Sequence, residues 1–184
     1  MNLLKHVFMK IKVKEIVKGS APVVMEQGDW FDLKVANNVS FKAPHATTLK
    51  RKRPKNEEET SFRTVNFDFK LINLGFAMQL PDGYEAVVVP RSSLFKKLGL
   101  IQANSMGVID NSYCGNNDEW KFPALAFKNV NIEKGTRICQ VKIQLSQRAT
   151  MWQKIKWLFD NKIEFEIVED LESENRGGFG STGL

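Results

Sequence analysis

The sequence PRSSLFKKLGLIQANSMGVIDNSYCG, residues 90–115, places reactive side chains on both sides of an apolar run. Arg91 and the two serines after it offer a planar cationic fork and two small hydrogen-bond donors, which suit phosphate oxygens. Asp110 directly follows an apolar pair, so we expect its carboxylate at a strand end, half sheltered and able to hold a water. Tyr113 adds a flat aromatic face three residues later. The stretch therefore predicts a polar site at the end of a strand.

The composition indicates one globular domain. With 184 residues, of which 42% are hydrophobic and 26% charged, the chain can bury one sizeable core. The net charge of +6 suits a polyanionic partner, and charge alone does not choose between nucleic acid and a nucleoside triphosphate. Cys114 and Cys139 lack C-x-x-C spacing and the chain has only two histidines, so neither a zinc site nor a disulfide framework is indicated. We therefore expect the reducing cytoplasm as the compartment.

Alternating apolar and charged residues begin at Met9, where MKIKVKEI has the two-residue period of a half-buried strand. The residues before it are too few for a signal peptide or a membrane span, so we expect no membrane contact and a dispensable extension at 1–8. Similar short runs recur between Gly, Pro, Asn and Asp turn signals, which is typical of an all-β sandwich or barrel. The predicted further strands are 21–25, 31–35, 39–42, 65–71, 76–80, 85–89, 100–109, 122–127, 136–145 and 163–168.

Five short motifs follow one another along nearly the whole chain. They are GDWFDL at 28–33, PRSSL at 90–94, GVIDNSYCG at 107–115, RICQ at 137–140 and RGGFGSTG at 176–183. In order and spacing this set resembles the trimeric dUTP diphosphatases (dUTPases) of bacterial and phage type. The resemblance implies a β jelly roll in the form of a distorted barrel, and hydrolysis of dUTP to dUMP and pyrophosphate by attack of water on the α-phosphorus. It also implies a homotrimer with active sites shared between subunits, and no specific nucleic-acid partner.

The resemblance assigns the central motif to catalysis and to recognition of the nucleoside. Asp110 matches the family's water-activating aspartate, and a carboxylate within hydrogen-bond reach is a competent general base. Tyr113 resembles the ring that packs under the deoxyribose and leaves no room for a 2′-hydroxyl. Asn104 matches the side chain that, with backbone groups of the hairpin around Gly107, reads the uracil edge. From the residues alone, Asp110 could instead cap a turn, Tyr113 could belong to the core and Asn104 could form a turn.

Phosphate and metal contacts are assigned to the motifs on either side. Arg91 and Ser92 match the phosphate-contacting pair, and Ser93 follows them where glycine is frequent in the family. Asp32 and Gln140 match residues that hold waters of a Mg²⁺ ion carried mainly by the substrate phosphates. Without the resemblance, Asp32 could be a turn residue and Gln140 a surface residue of an amphipathic strand.

The glycine-rich tail is expected to be a mobile arm that does not contribute to the core. By resemblance the arm is a lid, in which Arg176 reaches the γ-phosphate and Phe179 lies over the uracil ring. Gly180, Ser181 and Thr182 contact the phosphates as the lid closes. Deleting the tail from Arg176 onward should hardly change stability and should nearly abolish catalysis. The alternative is a frayed terminus with no role.

The expected boundaries are a jelly-roll domain at 9–170 and the arm at 171–184, and two segments exceed what the family core needs. The segment 45–63 carries a basic run followed by three glutamates, which indicates a solvated, self-neutralising loop or a contact for protein or nucleic acid. The segment 147–161 has apolar residues at helical spacing and predicts an amphipathic helix. We expect that helix to pack on its own barrel or on a neighbouring subunit rather than on a membrane.

Three other functions stay open at this point. A dCTP deaminase shares the fold and the PRSSL wording, but those enzymes need a glutamate where Ala126 stands in ALAFKN. A regulatory binding protein of the same fold would use the two extra segments to engage a protein partner. A purely structural jelly roll is disfavoured by the five intact motifs. Ser112 also departs from the family, which usually has a second aspartate there, so the role of that carboxylate is lost or replaced.

Overall fold

The computed structural model of the protein describes residues 9–24, 28–50, 61–159 and 162–178, and strands predominate in them. The helices are α1 (Leu94–Leu98) and α2 (Met151–Phe159). The strands are β1 (Met9–Glu15), β2 (Phe31–Lys34), β3 (Val39–Phe41), β4 (His45–Lys50), β5 (Ser61–Asn66), β6 (Phe69–Asn73), β7 (Phe76–Gln79), β8 (Tyr84–Pro90), β9 (Leu100–Gln102), β10 (Gly107–Asp110), β11 (Lys121–Ala126), β12 (Val130–Ile132), β13 (Arg137–Leu145) and β14 (Ile163–Ile167). The expected all-β class is confirmed.

The strands form small sheets packed around one core. A four-stranded antiparallel sheet has the order β10-β8-β13-β2, and two three-stranded sheets have the orders β14-β1-β7 and β6-β11-β9. Two further pairs join β12 to β3 and β4 to β5. β1 runs parallel to β14 and antiparallel to β7. Within the described ranges these sheets do not close into the expected barrel.

The side-chain period of the strands explains the core. In β1, Ile11 and Val13 are fully buried while the lysines between and after them stay partly exposed. Trp120, Phe76 and Phe122 are also fully buried, and the rings of Trp120 and Phe76 lie 5.2 Å apart. Burying a large apolar side chain is worth about 1.5–3 kcal/mol. This core supports the four-stranded sheet that carries most of the site residues.

Several predicted strands differ from the observed ones. The segment 100–109 is divided into β9 and β10, because Ser105 has a φ of 61° and the Met106 N–H donates to the Asn104 carbonyl at 2.6 Å, which forms a turn. The segment 65–71 is divided between β5 and β6. Of the segment 21–25, Val23 forms an isolated bridge to Asp32, and residue 25 lies outside the described ranges. Sequence analysis did not predict β4, β12 or α1.

The segment 45–63 is not simply a loop, because both of its ends are strands. β4 and β5 pair in register from His45 opposite Asn66 to Lys50 opposite Ser61. Cross-strand hydroxyls add to the pairing, since the Oγ1 atoms of Thr47 and Thr64 are 2.8 Å apart. The charged run at residues 51–60 lies outside the described ranges. The expectation of a solvated loop therefore holds for neither end of the segment.

The amphipathic helix is confirmed, with a later start than expected. α2 begins at Met151 because Thr150 and Gln153 form a capping box, in which Thr150 N–H donates to Gln153 Oε1 at 2.7 Å and Gln153 N–H donates to Thr150 Oγ1 at 3.3 Å. Trp157 packs against Tyr84, with ring centroids 5.5 Å apart, whereas Trp152 is 80% exposed. Neither described helix is long and apolar enough to cross a membrane.

Candidate active site

Strand β8 connects the residues singled out by sequence. In the register of its sheet, Asp110 on β10 lies opposite Glu85, and Gln140 on β13 lies opposite Val89. Arg91 directly follows the last residue of β8. The strand therefore has two ends that carry different chemistry, which we call the Asp110 end and the Arg91 end.

The Asp110 carboxylate is half exposed and has partners on both oxygens. Its Oδ1 accepts hydrogen bonds from the Ser112 backbone N–H at 2.9 Å and from the Ser112 hydroxyl, and its Oδ2 accepts one from Arg176 Nη1 at 2.7 Å. Burial by itself raises the pKa of Asp110, but the hydrogen bonds from Ser112 and Arg176 outweigh it and hold the pKa below the ordinary carboxyl value. The carboxylate is therefore ionised at neutral pH. Ser112, which replaces the family's second aspartate, serves here to orient Asp110.

A cavity of about 310 Å³ opens beside Asp110. Its lining brings together Asn104 and residues that the sequence had singled out from two motifs, namely Gly107, Asp110, Tyr113 and Arg176. A volume of this size lies at the lower end of the range typical of small-molecule sites. The residues predicted to bind the nucleoside therefore line one pocket within a single chain, and their roles stay predictions.

A buried amide in the pocket lining was missed by sequence analysis. Gln102 is 7% exposed, and its Nε2 donates to the Val88 carbonyl at 3.2 Å and to Asn104 Oδ1 at 3.0 Å. Those two acceptors fix the orientation of the Gln102 amide and restrain Asn104. The signal available in the sequence is a polar residue at an inward-facing position of β9, whose neighbour Leu100 on the same face is fully buried.

Tyr113 forms one wall of the pocket. Its hydroxyl donates to the Glu119 carbonyl at 2.9 Å, which fixes the ring. Burial, with the nearby charges of Asp118 and Glu119, raises the pKa of Tyr113 to about 12, so the phenol stays neutral. A Cβ atom on Gly178 would lie 3.0 Å from the ring, so the glycine of the arm packs directly against it.

The Arg91 end contains a second carboxylate in a different setting. Asp32 is 4% exposed and lies between two arginines, with Oδ1 3.2 Å from Arg91 Nε and Oδ2 3.0 Å from Arg137 Nη1. Arg137 belongs to the RICQ motif, but sequence analysis gave it no role. Gln140 lies directly opposite Asp32 across β13 and β2 and is half-buried.

The two serines after Arg91 lie in the turn that leads into α1. Ser92 is exposed, and Ser93 is the residue before the helix. The Ser93 side chain makes no capping hydrogen bond. Both serines therefore belong to the Arg91 end and do not line the pocket beside Asp110.

One chain does not bring the two ends of β8 together. From Glu85, opposite Asp110, to Val89, opposite Gln140, the strand covers about 13 Å, and the three strand spacings from β10 to β2 add about 14 Å sideways. Asp110 and Asp32 are therefore about 19 Å apart by these spacings. That distance exceeds the reach of any single side chain.

The described residues do not offer the cluster of oxygen donors that a protein-bound Mg²⁺ ion requires. Within the described ranges there is no group of three or more His, Cys, Asp or Glu side chains that could hold a metal ion. Both Asp32 oxygens are contacted by arginine, at 3.2 and 3.0 Å, which places two positive charges beside the carboxylate. The described residues therefore do not fit a directly ligated Mg²⁺ ion.

Part of the predicted arm lies outside the described ranges. Phe179, Gly180, Ser181 and Thr182 belong to that part, so their roles stay predictions. Arg176, Gly177 and Gly178 are described, and all three line the pocket beside Asp110.

The sequence is similar to one known protein family and to named members of it. A family model for dUTPase matches residues 58–183. A SPbeta prophage-derived deoxyuridine 5′-triphosphate nucleotidohydrolase of Bacillus subtilis is 43% identical over 176 residues, which cover 95% of this chain and 99% of that protein. A deoxyuridine 5′-triphosphate nucleotidohydrolase of a Hydrogenobaculum species is 39% identical over 124 residues, or 64% of this chain and 73% of that protein.

Solved structures agree at the level of the fold. The dUTPase of Streptococcus mutans has a TM-score of 0.53 and 21% identity, covering 70% of this chain and 88% of its own. The dUTPase of Staphylococcus bacteriophage 80alpha, described as controlling transfer of virulence genes, has a TM-score of 0.55 and 17% identity, covering 77% and 93%. A variant of the dUTPase of phage phi11 of S. aureus, described with a structural Mg(II) ion, has a TM-score of 0.56 and 13% identity, covering 77% and 94%. The fold of the chain is therefore the jelly roll expected from the sequence.

Proposed function

This chain belongs to the dUTPase family, and we propose that it hydrolyses dUTP to dUMP and pyrophosphate in the pocket beside Asp110. The observation that carries the proposal is the pair formed by Asp110 and Arg176 in the lining of that pocket. An ionised carboxylate can take a proton from water, and an arginine beside it can hold phosphate oxygens. The reaction keeps uracil out of DNA and supplies dUMP for thymidylate synthesis.

Asp110 is the residue that orients and deprotonates the attacking water in this proposal. Without substrate its Oδ2 is occupied by Arg176. A triphosphate offers Arg176 a more highly charged partner, so the guanidinium moves to the phosphates and Oδ2 becomes free to accept a proton. Ser112 holds Oδ1 in place throughout. Water then bonds to the α-phosphorus, the bond to the bridging oxygen breaks, pyrophosphate leaves and the proton goes to Asp110.

The remaining pocket residues select the nucleoside. Asn104 and the backbone around Gly107 read the uracil edge, with Gln102 restraining the Asn104 amide. Tyr113 packs under the deoxyribose, and its fixed ring leaves no space for a 2′-hydroxyl. Phe179 covers the base from the arm. Thymine is excluded because its methyl group finds no room.

The phosphate-binding residues come from a neighbouring chain in this proposal. Arg91, Ser92 and Ser93 lie at the opposite end of β8 from Asp110, so they contact the triphosphate of the next subunit's pocket. Ser92 donates to the bridging oxygen at the cleaved bond. Arg176, Ser181, Thr182 and the Gly180 backbone complete the phosphate contacts from the arm.

An exposed apolar face beside the pocket supports a homotrimer. Phe69 and Ile101 lie in register with Leu125 across the β6-β11-β9 sheet, and they are 51% and 38% exposed. Next to them, the Phe127 ring contacts those of Phe67 and Phe95 at 5.4 and 5.8 Å. A contiguous apolar face of this kind is typical of an interface. Phe69→Lys should yield monomers without activity in sedimentation and turnover assays, and an active monomer would contradict the trimer.

Mg²⁺ is proposed to be carried by the triphosphate, with Asp32 and Gln140 at most contacting its waters. The ion would supply positive charge to the phosphates. No step above depends on a protein ligand for it, since the described residues do not form a metal site. Titration calorimetry of the free protein with MgCl₂ should show no binding in the micromolar range, whereas turnover of dUTP should require the ion.

One assay tests the assignment as a whole. Pyrophosphate release should be measured with dUTP, dCTP, dTTP and UTP, together with the formation of uracil nucleotides from dCTP. We expect release from dUTP alone. The deaminase alternative needs a carboxyl group where the fully buried Ala126 stands, and conversion of dCTP to dUTP would establish it against our proposal.

We also propose a cytoplasmic location and a regulatory protein partner. A cytoplasmic location agrees with the free thiols of Cys114 and Cys139. A regulatory protein partner would find its contact on the outer side of α2, where Trp152 and Phe159 are 80% and 86% exposed.

A further inference from the structure

A glutamine side chain is buried on the inner face of β9, where an apolar side chain is the usual choice. Gln102 is 7% exposed, and it lies beside the fully buried Leu100 and opposite the fully buried Ala124 of β11. No described residue provides a hydrogen-bond partner for its Oε1 atom. A buried polar atom without a partner costs stability. The amide at this position therefore points to a role in function.

The turn that follows β9 is closed by its backbone. The Ser105 N–H donates to the Gln102 carbonyl at 3.3 Å, and the Met106 N–H donates to the Asn104 carbonyl at 2.6 Å. Neither of these bonds involves the Gln102 amide. The turn can therefore form without that side chain.

The neighbours of the Gln102 amide allow it only one orientation. Its Nε2 donates to the Val88 carbonyl at 3.2 Å and to Asn104 Oδ1 at 3.0 Å. Because a backbone carbonyl can only accept, the nitrogen and not the oxygen of the Gln102 amide must face Val88. A Cβ atom on Gly107 would lie 3.5 Å from the same nitrogen, so the amide lies against the hairpin that lines the pocket.

The orientation of the Asn104 amide follows from that of Gln102. Asn104 is exposed and lines the pocket beside Asp110. Because its Oδ1 accepts from Gln102, the N–H groups on its Nδ2 are the part of the amide left to meet a ligand. The Val88 carbonyl on β8 thus determines, through Gln102, that Asn104 offers the pocket a donor rather than an acceptor.

We infer that Gln102 is a positioning residue that makes the pocket select uracil over cytosine, because it orients Asn104 as a donor. The inference rests on the proposed function, in which Asn104 reads the edge of the base. Uracil has a carbonyl oxygen at C4, which accepts a hydrogen bond, whereas cytosine has an amino group there, which donates. An oriented Nδ2 pairs with the carbonyl of uracil and opposes the amino group of cytosine. An Asn104 amide that could turn over would suit either base.

Gln102→Met tests the inference, because methionine has an unbranched side chain like that of glutamine and no N–H group. Without the donor, the Asn104 amide can rotate to suit either base. Titration calorimetry should show that the unaltered protein prefers dUMP to dCMP, and that the ratio of the dCMP Kd to the dUMP Kd falls about tenfold or more in the variant. The preference for dUTP over dCTP in kcat/KM should fall in the same way. An unchanged ratio would overturn the inference and leave the hydrolysis of dUTP standing.

Thymine distinguishes the orientation of Asn104 from a general loosening of the pocket. Thymine carries the same C4 carbonyl as uracil and differs from it by a methyl group. The ratio of the dTMP Kd to the dUMP Kd should therefore be the same in Gln102→Met as in the unaltered protein. A merely structural role for Gln102 would widen the pocket and lower both ratios, and a fall in both would refute the inference.

A double-mutant cycle tests whether Gln102 acts through Asn104. Asn104→Ala removes the side chain that Gln102 orients, so adding Gln102→Met should not change the ratio of the dCMP Kd to the dUMP Kd any further. A further fall in the double variant would contradict the inference.

Melting temperatures provide a measurement that needs no nucleotide. Gln102→Met, and Gln102→Leu as a second apolar variant, should melt close to the unaltered protein, since the lost bond to the Val88 carbonyl is offset by removal of a buried oxygen without a partner. Failure of both variants to fold would show that the amide is needed for the fold itself, which contradicts the inference.

A matched glutamine serves as the control. Gln144 Nε2 donates to Glu85 Oε1 at 2.9 Å, and Gln144 does not line the pocket beside Asp110. Gln144→Met should therefore leave both Kd ratios unchanged. If the unaltered protein showed no preference for dUMP over dCMP and released no pyrophosphate from dUTP, the proposed function itself would be wrong and the inference would fall with it.

Discussion

The two ends of β8 each carry an aspartate paired with arginine, but the two carboxylates differ in how accessible they are. Asp110 is half exposed and pairs with Arg176 of the arm. Asp32, in contrast, is buried between Arg91 and Arg137. Under the proposed function a phosphate competes for the arginine on the arm, which leaves Asp110 Oδ2 free to accept a proton. Two arginines fixed in the fold contact both oxygens of Asp32. The same pair of residue types therefore gives an accessible carboxylate at one end and a carboxylate enclosed between two cations at the other.

The largest effect on turnover should come from a substitution at the Asp110 end. Asp110→Asn keeps the shape of the side chain but cannot take a proton from water, so kcat should fall by about 10²–10⁴-fold. The Kd for a non-hydrolysable dUTP analogue should stay nearly unchanged, since ground-state contacts are spared. Asp68→Asn is the matched control, because the Asp68 carboxylate accepts the Lys42 N–H at 2.9 Å and does not line the pocket beside Asp110. Equal losses in affinity and turnover for Asp110→Asn would argue against its role.

The next largest effect should distinguish the roles of Arg91 and Arg137 at the Arg91 end. Arg91→Ala and Arg137→Ala each remove one partner of the buried Asp32 and one positive charge. If only Arg91 contacts the triphosphate, its loss should raise KM for dUTP about 10–100-fold, the value of one or two charged hydrogen bonds, and Arg137→Ala should have a much smaller effect. Thermal denaturation should show similar destabilisation of both. Equal effects on KM would mean that Arg91 is needed as a partner for Asp32 and does not bind phosphate.

The sequence predicted the residues of the Asp110 end better than it predicted the residues that hold them in place. Asp110, Tyr113, Asn104 and Arg176 are recognisable by motif, and the structure places them in one pocket. Most strands were also predictable, because a period of two in hydrophobicity follows directly from the alternation of strand side chains. What periodicity does not show is a left-handed turn, such as that at Ser105, which divides an apolar run into β9 and β10.

Contacts between distant segments were beyond prediction for a physical reason. Asp118 has no pattern of its own, and its partners are backbone N–H groups, which every residue except proline carries. Gln102 likewise binds a backbone carbonyl and a neighbouring amide. The expected neutrality of deleting the tail from Arg176 onward also needs correction, because that deletion removes two of the three donors to a buried carboxylate and so costs stability.

A smaller effect concerns the pH dependence of kcat/KM, which should respond to substitutions at the Asp110 end. Ser112 is the main source of the hydrogen bonds that hold the pKa of Asp110 below its ordinary value, against burial, which raises it. Removing the hydroxyl in Ser112→Ala should raise this pKa, so the acidic limb of kcat/KM for dUTP should move to higher pH. Activity at neutral pH should change little, because the carboxylate is still ionised there. The Arg91→Ala profile is the control from the other end of β8, and its acidic limb should not move.

The same depressed pKa should appear in stability. A carboxyl group whose pKa is lower in the folded than in the unfolded chain stabilises the fold at pH values above the unfolded pKa, and this contribution is lost as the pH falls through the folded pKa. The melting temperature of Ser112→Ala should therefore approach that of the unaltered protein in acid and lie below it at neutral pH. A constant difference at all pH values would show that the hydroxyl acts by packing and not through Asp110.

The smallest effect should come from the support that α2 gives to the Asp110 end. Gln153 Nε2 donates to the Asp82 carbonyl at 2.7 Å, and the Asp82 carboxylate accepts from Asn111 at 2.6 Å, next to Asp110. Thr150→Ala removes the capping hydroxyl and should cost about 1 kcal/mol, a fall in melting temperature of about 2–4 °C if the whole domain unfolds together.

Turnover should distinguish the Thr150 cap of α2 from the hydrogen bond between Gln153 and the Asp82 carbonyl, which we call the strut. Thr150→Ala keeps the bond from Gln153 to Asp82, so kcat should change less than about twofold. Gln153→Ala loses both the cap and the strut, and its kcat should fall further than that of Thr150→Ala at a similar cost in stability. Binding at the Arg91 end, followed as KM, should be equal in the two variants, since α2 contacts β8 at its start, through Tyr84, and not at its Arg91 end. If Gln153→Ala turned over dUTP as fast as Thr150→Ala, the helix would stabilise the domain without holding the Asp110 end in place, and the two ends of β8 would depend equally on the core alone.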